Sequence, residues 1–396
     1  MASLILFTGK GGTGKSTISA ATGIHYASKG YRTLVVSSDP AHSTDDTFGI
    51  PIGNSLVKIT DNLWAKNLNA EERASEFFDT ISGAMETMFS KSLPGFDTSL
   101  MTEWANFPGM DEVFALEEVH NLMLGVKYDI IVFDTAPTGH TLKALTAPDY
   151  LNTFLLKMLR MKAKLENLKG LFLRKSESSM LVSYLEALSE RLLRIKVLLR
   201  NTEFSSINLV AIATEAGFQE CYRTVRFLET LQIPVQNIIV NHVVPSFGSE
   251  VWADAKENPA VALLYNEWLI QQPYLGKYKQ IASQHGINLV GMTKLPYEPR
   301  GQRLEDVSNI LWGNKGLKFE CPFSIKIDEN DEKYYLRLKA PNIHEAVWHT
   351  NNLKYRFDDI LDEWHKIPLP PELSDDIEER KVSRRKTDGG ITLTVE

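Results

Sequence analysis

Gly9-Lys10-Gly11-Gly12-Thr13-Gly14-Lys15-Ser16-Thr17 is a stretch that could bind phosphate. The glycines at 9, 11, 12 and 14 let the backbone curl so that successive N–H groups point inward at anionic oxygens. Lys15 can reach the outer phosphates of a nucleotide, and Ser16 can offer its hydroxyl to a divalent cation. The spacing is G-x-x-x-x-G-K-S. It sits between the short apolar run 3–8 and an Ala- and Ser-containing helix expected from about residue 16 to 29. That strand–loop–helix context is what gives the pattern its meaning, and the helix N-terminus adds its positive dipole end. A flexible glycine turn before a helix is the plain alternative, and pattern and context together weigh against it.

Two carboxylates end apolar runs further along. Residues 32–38, Arg-Thr-Leu-Val-Val-Ser-Ser, lead into Asp39-Pro40-Ala41-His42-Ser43. Residues 128–133, Tyr-Asp-Ile-Ile-Val-Phe, lead into Asp134-Thr135-Ala136-Pro137-Thr138-Gly139-His140. In an open α/β sheet, ligands sit at the carboxyl ends of strands. Asp39 is therefore expected to orient and polarise a water at the γ-phosphate. Asp134, at the Walker B position, is expected to bear on Mg²⁺, directly or through water. Each would also serve as an ordinary helix N-cap. Pro40, His42, Ser43, Thr135, Pro137, Gly139 and His140 read as switch residues, in loops that can reshape when the γ-phosphate leaves.

These residues need a sheet to position them. Strand-like runs near 3–8, 33–38, 62–67, 129–134, 207–213 and 236–241 alternate with helical stretches. That is the rhythm of a parallel, doubly wound α/β sheet, here a P-loop NTPase fold. Between Asn69 and Ser205 the rhythm largely breaks. A helical insert is expected within about 70–127 and 149–203. Eight of the ten methionines lie between Met85 and Met180. Stretches 70–90 and 149–200 read as helical, the second with Leu151, Leu155, Met158, Leu165, Leu168 and Phe172 at near-helical spacing. Lys157, Arg160, Lys162, Lys164 and Lys169 fall between them. Methionines suit an adaptable apolar groove, but ordinary core or contact with an anionic membrane surface fits the same spacing.

From about residue 318 the pattern becomes strand-like. Residues 323–328 and 334–339 alternate with period 2 around an acidic turn, a hairpin signature. A small all-β domain is expected over 318–396, after an ATPase domain over 1–315.

The whole chain narrows the function classes. It has 396 residues, 43% hydrophobic and 23% charged, with net charge −7. That composition is globular and leaves no overall electrostatic footprint for nucleic acid. Cys221 and Cys321 stand far apart, which excludes a disulfide framework or a local metal-ligand spacing and fits a reducing compartment. No apolar run is long enough for a membrane span. The phosphate-binding pattern starts too early to leave room for a cleavable targeting segment.

Lys10 adds a second lysine to the loop, the K-G-G-x-G-K-[ST] pattern of the deviant Walker A group. Together with Asp39–Ser43 and the run Asp134–Leu142 (D-T-A-P-T-G-H-T-L), the loop resembles the ArsA-type ATPases. This family includes the arsenite-pump ATPase and the targeting ATPases for tail-anchored proteins. Phe107-Pro108-Gly109-Met110-Asp111-Glu112 resembles the family's P-G-x-D-E segment, and Leu295–Gly301 its adenine loop. The resemblance implies ATP and Mg²⁺ as cofactors, with Asn241 reading the adenine edge and Pro296 nearby. Where the family usually has Gln after that Asn, this chain has His242. The resemblance further implies a cytoplasmic homodimer in which Lys10 reaches the partner's phosphates. It implies a hydrophobic helical client and a membrane-protein receptor. No C-x-x-C is present to share zinc across a dimer, and two cysteines cannot make the triad of arsenite-stimulated pumps. An anion-pump subunit and a MinD/ParA-like positioning ATPase are the rival readings. At the carboxyl end, Lys366–Leu373 and the final run 388–395 (D-G-G-I-T-L-T-V) resemble an α-crystallin (small heat-shock protein) domain; an unrelated β-sandwich is the alternative.

Overall fold

The computed structural model describes residues 2–39, 43–70, 72–77, 79, 110–125, 127–136, 144–146, 175–313 and 316–319, and seven strands between 323 and 395. Side chains are described except at 145, in 175–185, at 256 and in those seven strands.

The chain opens with strand β1 (Ser3–Thr8), helix α1 (Lys15–Ser28), β2 (Thr33–Ser37), the short α2 (Ser43–Phe48), β3 (Val57–Thr60) and β4 (Leu63–Asn67). After α3 (Met110–Leu124) come β5 (Ile130–Asp134), α4 (Lys175–Arg200), β6 (Ser205–Ile212), α5 (Glu215–Thr230) and β7 (Asn237–Val243). Then follow α6 (Ser249–Ala253), α7 (Pro259–His285), β8 (Asn288–Thr293) and α8 (Leu304–Trp312). The eight strands form one sheet in the order β3-β4-β2-β5-β1-β6-β7-β8. All neighbours are parallel except the β3–β4 pair at one edge. Strands β1, β2 and β5 are buried along their whole length. Their near-continuous apolar sequences are what a parallel sheet covered on both faces requires.

Polar groups inside this sheet are paired. Asn208, Asn237 and Asn288 occupy the same register on β6, β7 and β8. Asn288 donates to Asn237, and Asn237 to Asn208, each at 2.7 Å. Such a ladder satisfies amides that would otherwise be costly to bury. At the start of β2, Arg32 grips Asp129 with Nε at 3.1 Å and a terminal nitrogen at 2.7 Å. This joins the loops that feed β2 and β5.

The doubly wound sheet expected from the sequence is present. Strands β3 and β8 were not anticipated. β3 is a four-residue edge strand, and β8 carries Gly291 with only partial burial, so neither gives a strong strand pattern.

The chain divides into two compact units, one of residues 1–67, 121–137 and 199–396, the other of 68–120 and 138–198. In the second unit, residues 70 and 72–77 are helical, as are the parts of α3 and α4 it contains. Glu117 is buried there and bonded by Arg73 at 3.4 Å and by Arg191. Phe77 meets Phe114 edge-on. Met110 of this unit and Met123 of the first unit are both buried core residues. Of the remaining methionines between 85 and 180, Met180 lies on α4, its side chain not described, and the others lie outside the described residues.

Within the first unit, Trp312 stacks on His25 and donates to Thr22, and Tyr26 donates to the carbonyl of Phe319. The chain then enters β9 (Phe323–Asp328), β10 (Lys333–Leu338), β11 (Ile343–His349), β12 (Asn352–Phe357), β13 (His365–Pro368), β14 (Val382–Thr387) and β15 (Gly390–Val395). They form two antiparallel sheets, β14-β15-β10-β9 and β11-β12-β13. The expected hairpin is β9–β10, with Asp328 opposite Lys333. Here the fold is all-β among the described residues.

Candidate nucleotide site

The phosphate loop leaves β1 at Gly9, where the backbone has φ 151° and a Cβ would stand 2.0 Å from the carbonyl oxygen of Val210. Only glycine fits that close approach to β6. Gly14 caps α1 in the left-handed region at φ 90°. Between them the loop folds on the carbonyl of Lys10, which accepts from Thr13 Oγ1 at 2.8 Å and from Lys15 Nζ at 3.3 Å. Lys15 is buried, and burial lowers its pKa against the opposing pull of Asp134 and Asp39. Lys10, Gly11 and Gly12 are exposed, and Thr17 is half-buried on the first turn of α1.

Both aspartates stand at the carboxyl ends of neighbouring strands, beside this loop. Asp134 ends β5, in register with Phe7 of β1 and Ser37 of β2. Its carboxyl is 1% exposed, and burial pushes its pKa up to about 6, while Ser16, Lys15 and Ser37 pull it down and Asp39 adds to the rise. Oxygen Oδ2 accepts from Ser37 Oγ at a long 3.4 Å, and Oδ1 is buried with no hydrogen-bond partner. A buried acceptor left bare costs about 1–3 kcal/mol. A divalent cation or its water would satisfy it, so the residues present fit Mg²⁺.

Asp39 follows β2. Its N–H donates to Ser37 Oγ at 3.1 Å, and its Oδ2 accepts from Ser43 Oγ at 2.7 Å. Ser43 in turn lies 2.7 Å from Ser16 Oγ. The loop serine, the switch serine and Asp39 therefore form one hydrogen-bonded chain. Thr135, buried, donates its N–H to the Phe7 carbonyl at 3.2 Å. Pro40, His42, Pro137, Gly139 and His140 lie outside the described residues.

Asn241 ends the regular part of β7. Its Nδ2 donates to the carbonyl of Thr13 at 2.9 Å and its Oδ1 accepts from the His242 N–H at 2.8 Å. The residue expected to read the adenine edge thus also braces the phosphate loop. Register shifts between Val240 and Val243, and His242 takes a left-handed φ of 56°. Gln271 of α7 clamps this bulge, donating to the His242 carbonyl at 3.0 Å and accepting from the Val244 N–H at 2.9 Å. Pro296 is exposed in the turn after β8, the strand beside β7.

Sequence reasoning missed Ser37 and Gln271. Ser37 reads as the next-to-last residue of the strand-like run 32–38. Gln271 lies 29 residues beyond His242 in a helix with no motif around it. Among the described residues, no three His, Cys, Asp or Glu side chains gather as a metal cluster. No helix there is long and apolar enough to cross a membrane. Cys221 is free and buried, its thiol pushed up to about 12 by burial; Cys321 lies outside the described residues.

Comparison with known proteins agrees with this geometry. A family model described as an anion-transporting ATPase (ArsA ATPase) matches residues 2–312. The chain is 30% identical over 340 residues to ATPase ARSA1 of Chlamydomonas reinhardtii, across 78% of this chain and 42% of that protein. It is 31% identical over 264 residues to ATPase GET3B of Arabidopsis thaliana, across 61% and 64% respectively. It is 28% identical over 357 residues to putative arsenical pump-driving ATPase 1 of Aquifex aeolicus, across 86% and 87%. The chain spans less than two thirds of the length of the algal and plant relatives. Since the matched span takes in every strand of the large sheet and the loop that leaves its central strand, the chain belongs to the ArsA-type, anion-transporting family of ATPases.

Proposed function

We propose that this chain hydrolyses ATP with Mg²⁺ and uses the cycle, as a homodimer, to hold and release a hydrophobic helical client of the tail-anchor kind. The observation that carries the catalytic half is the hydrogen-bonded chain from Ser16 through Ser43 to Asp39, with the buried Asp134 at the end of the neighbouring strand. In this reading the N–H groups of 11–17 and the Lys15 ammonium bind the phosphates. Ser16 and Asp134 hold the cation, which neutralises charge on the phosphate oxygens. Asp39 orients the attacking water. Asn241 and Pro296 flank the base. Lys10, exposed at the rim of the loop, acts on the partner's phosphates.

The client half rests on the family resemblance and on the methionine-rich region between 85 and 180, although Met110 and Met123 are core. A membrane-protein receptor, a cytoplasmic location, domains over 1–315 and 318–396, and a crystallin-like carboxyl-terminal domain belong to the same proposal. The plant relative's name favours the targeting branch. The second reading, the ATPase of an anion pump, is favoured by the name of the Aquifex relative, which aligns over most of both chains.

The deciding experiment is light scattering with ATP and Mg²⁺ in the presence of an apolar helix, beside Lys10→Ala and Asp39→Asn. The expected result is a closed dimer that retains the helix, lost in Lys10→Ala. Asp39→Asn should still close but turn over at least about 10²-fold more slowly. Hydrolysis without helix retention, but stimulated by an oxyanion, would move the pump reading ahead.

A further inference from the structure

The chain of hydroxyls beside the phosphate loop has a fixed direction. Ser43 Oγ lies 2.7 Å from Asp39 Oδ2 and 2.7 Å from Ser16 Oγ. A hydroxyl carries one proton, and an ionised carboxylate can only accept. The Ser43 proton is therefore given to Asp39, so the short Ser16–Ser43 contact must be a donation from Ser16. The single Ser16 proton is thereby committed to Ser43.

The cation site competes for the same oxygen. Asp134 Oδ1 is buried and without a hydrogen-bond partner, and in the reading above Asp134 holds the cation together with Ser16. Moving the Ser16 oxygen into that site takes it off its 2.7 Å contact with Ser43.

We propose that Ser43 is a positioning residue, a latch that ties Asp39 to the phosphate loop through Ser16 until the cation site draws Ser16 away. This rests on the nucleotide-site reading above but adds a residue and a direction to it. The latch holds Asp39 and the first turn of α2 to Ser16. It also sets a cost on cation binding, since the Ser16–Ser43 bond must be given up.

The test uses the full chain and the variants Ser43→Ala and Ser43→Thr. Hydrogen exchange is measured over residues 38–48 in nucleotide-free protein. Affinity for a fluorescent ATP analogue is measured in EDTA and in saturating Mg²⁺. In Ser43→Ala the backbone of 38–48 should exchange faster. The affinity gain on adding Mg²⁺ should grow about fivefold, as expected for one released hydrogen bond. The affinity in EDTA should stay within about twofold, because Ser43 does not bond the glycine loop's backbone. Ser43→Thr, which keeps the hydroxyl, should behave as the wild type in both. Unchanged exchange or an unchanged Mg²⁺ gain in Ser43→Ala overturns the latch, as does failure of Ser43→Thr to restore either. If the wild type binds no nucleotide at all, the proposed function falls, and the exchange comparison alone decides the latch.

Discussion

Asn241 donates its side-chain amide to the carbonyl of Thr13 at 2.9 Å, so β7 and the phosphate loop are joined by a single side chain. A Cβ on Gly14 would stand 2.4 Å from the same Nδ2. The loop and Asn241 are therefore packed as one surface.

It follows that Asn241→Ala should weaken nucleotide binding even where no base is present to be read. Removing one buried donor leaves the Thr13 carbonyl unpaired, at about 1–2 kcal/mol. Affinity for tripolyphosphate, measured calorimetrically, should fall roughly tenfold, and the preference for ATP over GTP should shrink as well. A variant that changed base preference while tripolyphosphate binding stayed intact would show that the bond to Thr13 carries no load.

Asp134 gives the nucleotide-free protein a pH dependence whose sign is fixed. Its folded pKa is raised by burial from the ordinary 3.8 to about 6. The folded state therefore holds the proton more tightly than the unfolded chain. Below about pH 4 both states are protonated and nothing is lost. From about pH 4 to about pH 6 the burial of charge destabilises progressively, and above that the loss is constant at roughly 2–3 kcal/mol. Asp134→Asn should remove this loss. Its thermal midpoint without nucleotide should exceed the wild type's at pH 7.5 and converge with it as the pH falls to 4. Equal midpoints at pH 7.5 would sink the argument.

Much of this site was legible because phosphate chemistry forces local patterns. The glycines, Lys15 and Ser16 lie within one loop, and Asp39 and Asp134 each end an apolar run that reads as a strand. The unread parts are made by residues distant in sequence. Ser37 matters only because β2 lies beside β5 in a register that sets it opposite Asp134. Gln271 matters only because α7 reaches the bulge at His242. The bulge itself hides in a substitution, His242, whose left-handed backbone no pattern announces. Edge strands β3 and β8 were missed because partial burial weakens the apolar signal that marks β1, β2 and β5.

The second unit invites a different measurement. Glu117 is 4% exposed and is bonded by Arg73 and Arg191, whose side chains are 38% and 48% exposed. The carboxylate is thus the group that desolvation penalises, and the two guanidiniums remain partly in water. Removing the carboxylate and removing the arginines should therefore differ. Glu117→Gln leaves two cations that water can still solvate, and should cost about 1–2 kcal/mol. The Arg73→Ala/Arg191→Ala pair leaves a buried carboxylate without a guanidinium, and should cost about 3–5 kcal/mol. Limited proteolysis checks this: cleavage within 68–198 should rise far more in the double variant than in Glu117→Gln, with the sheet of the first unit still protected. If Glu117→Gln were the more damaging change, the cluster would be holding the helices by geometry rather than by charge.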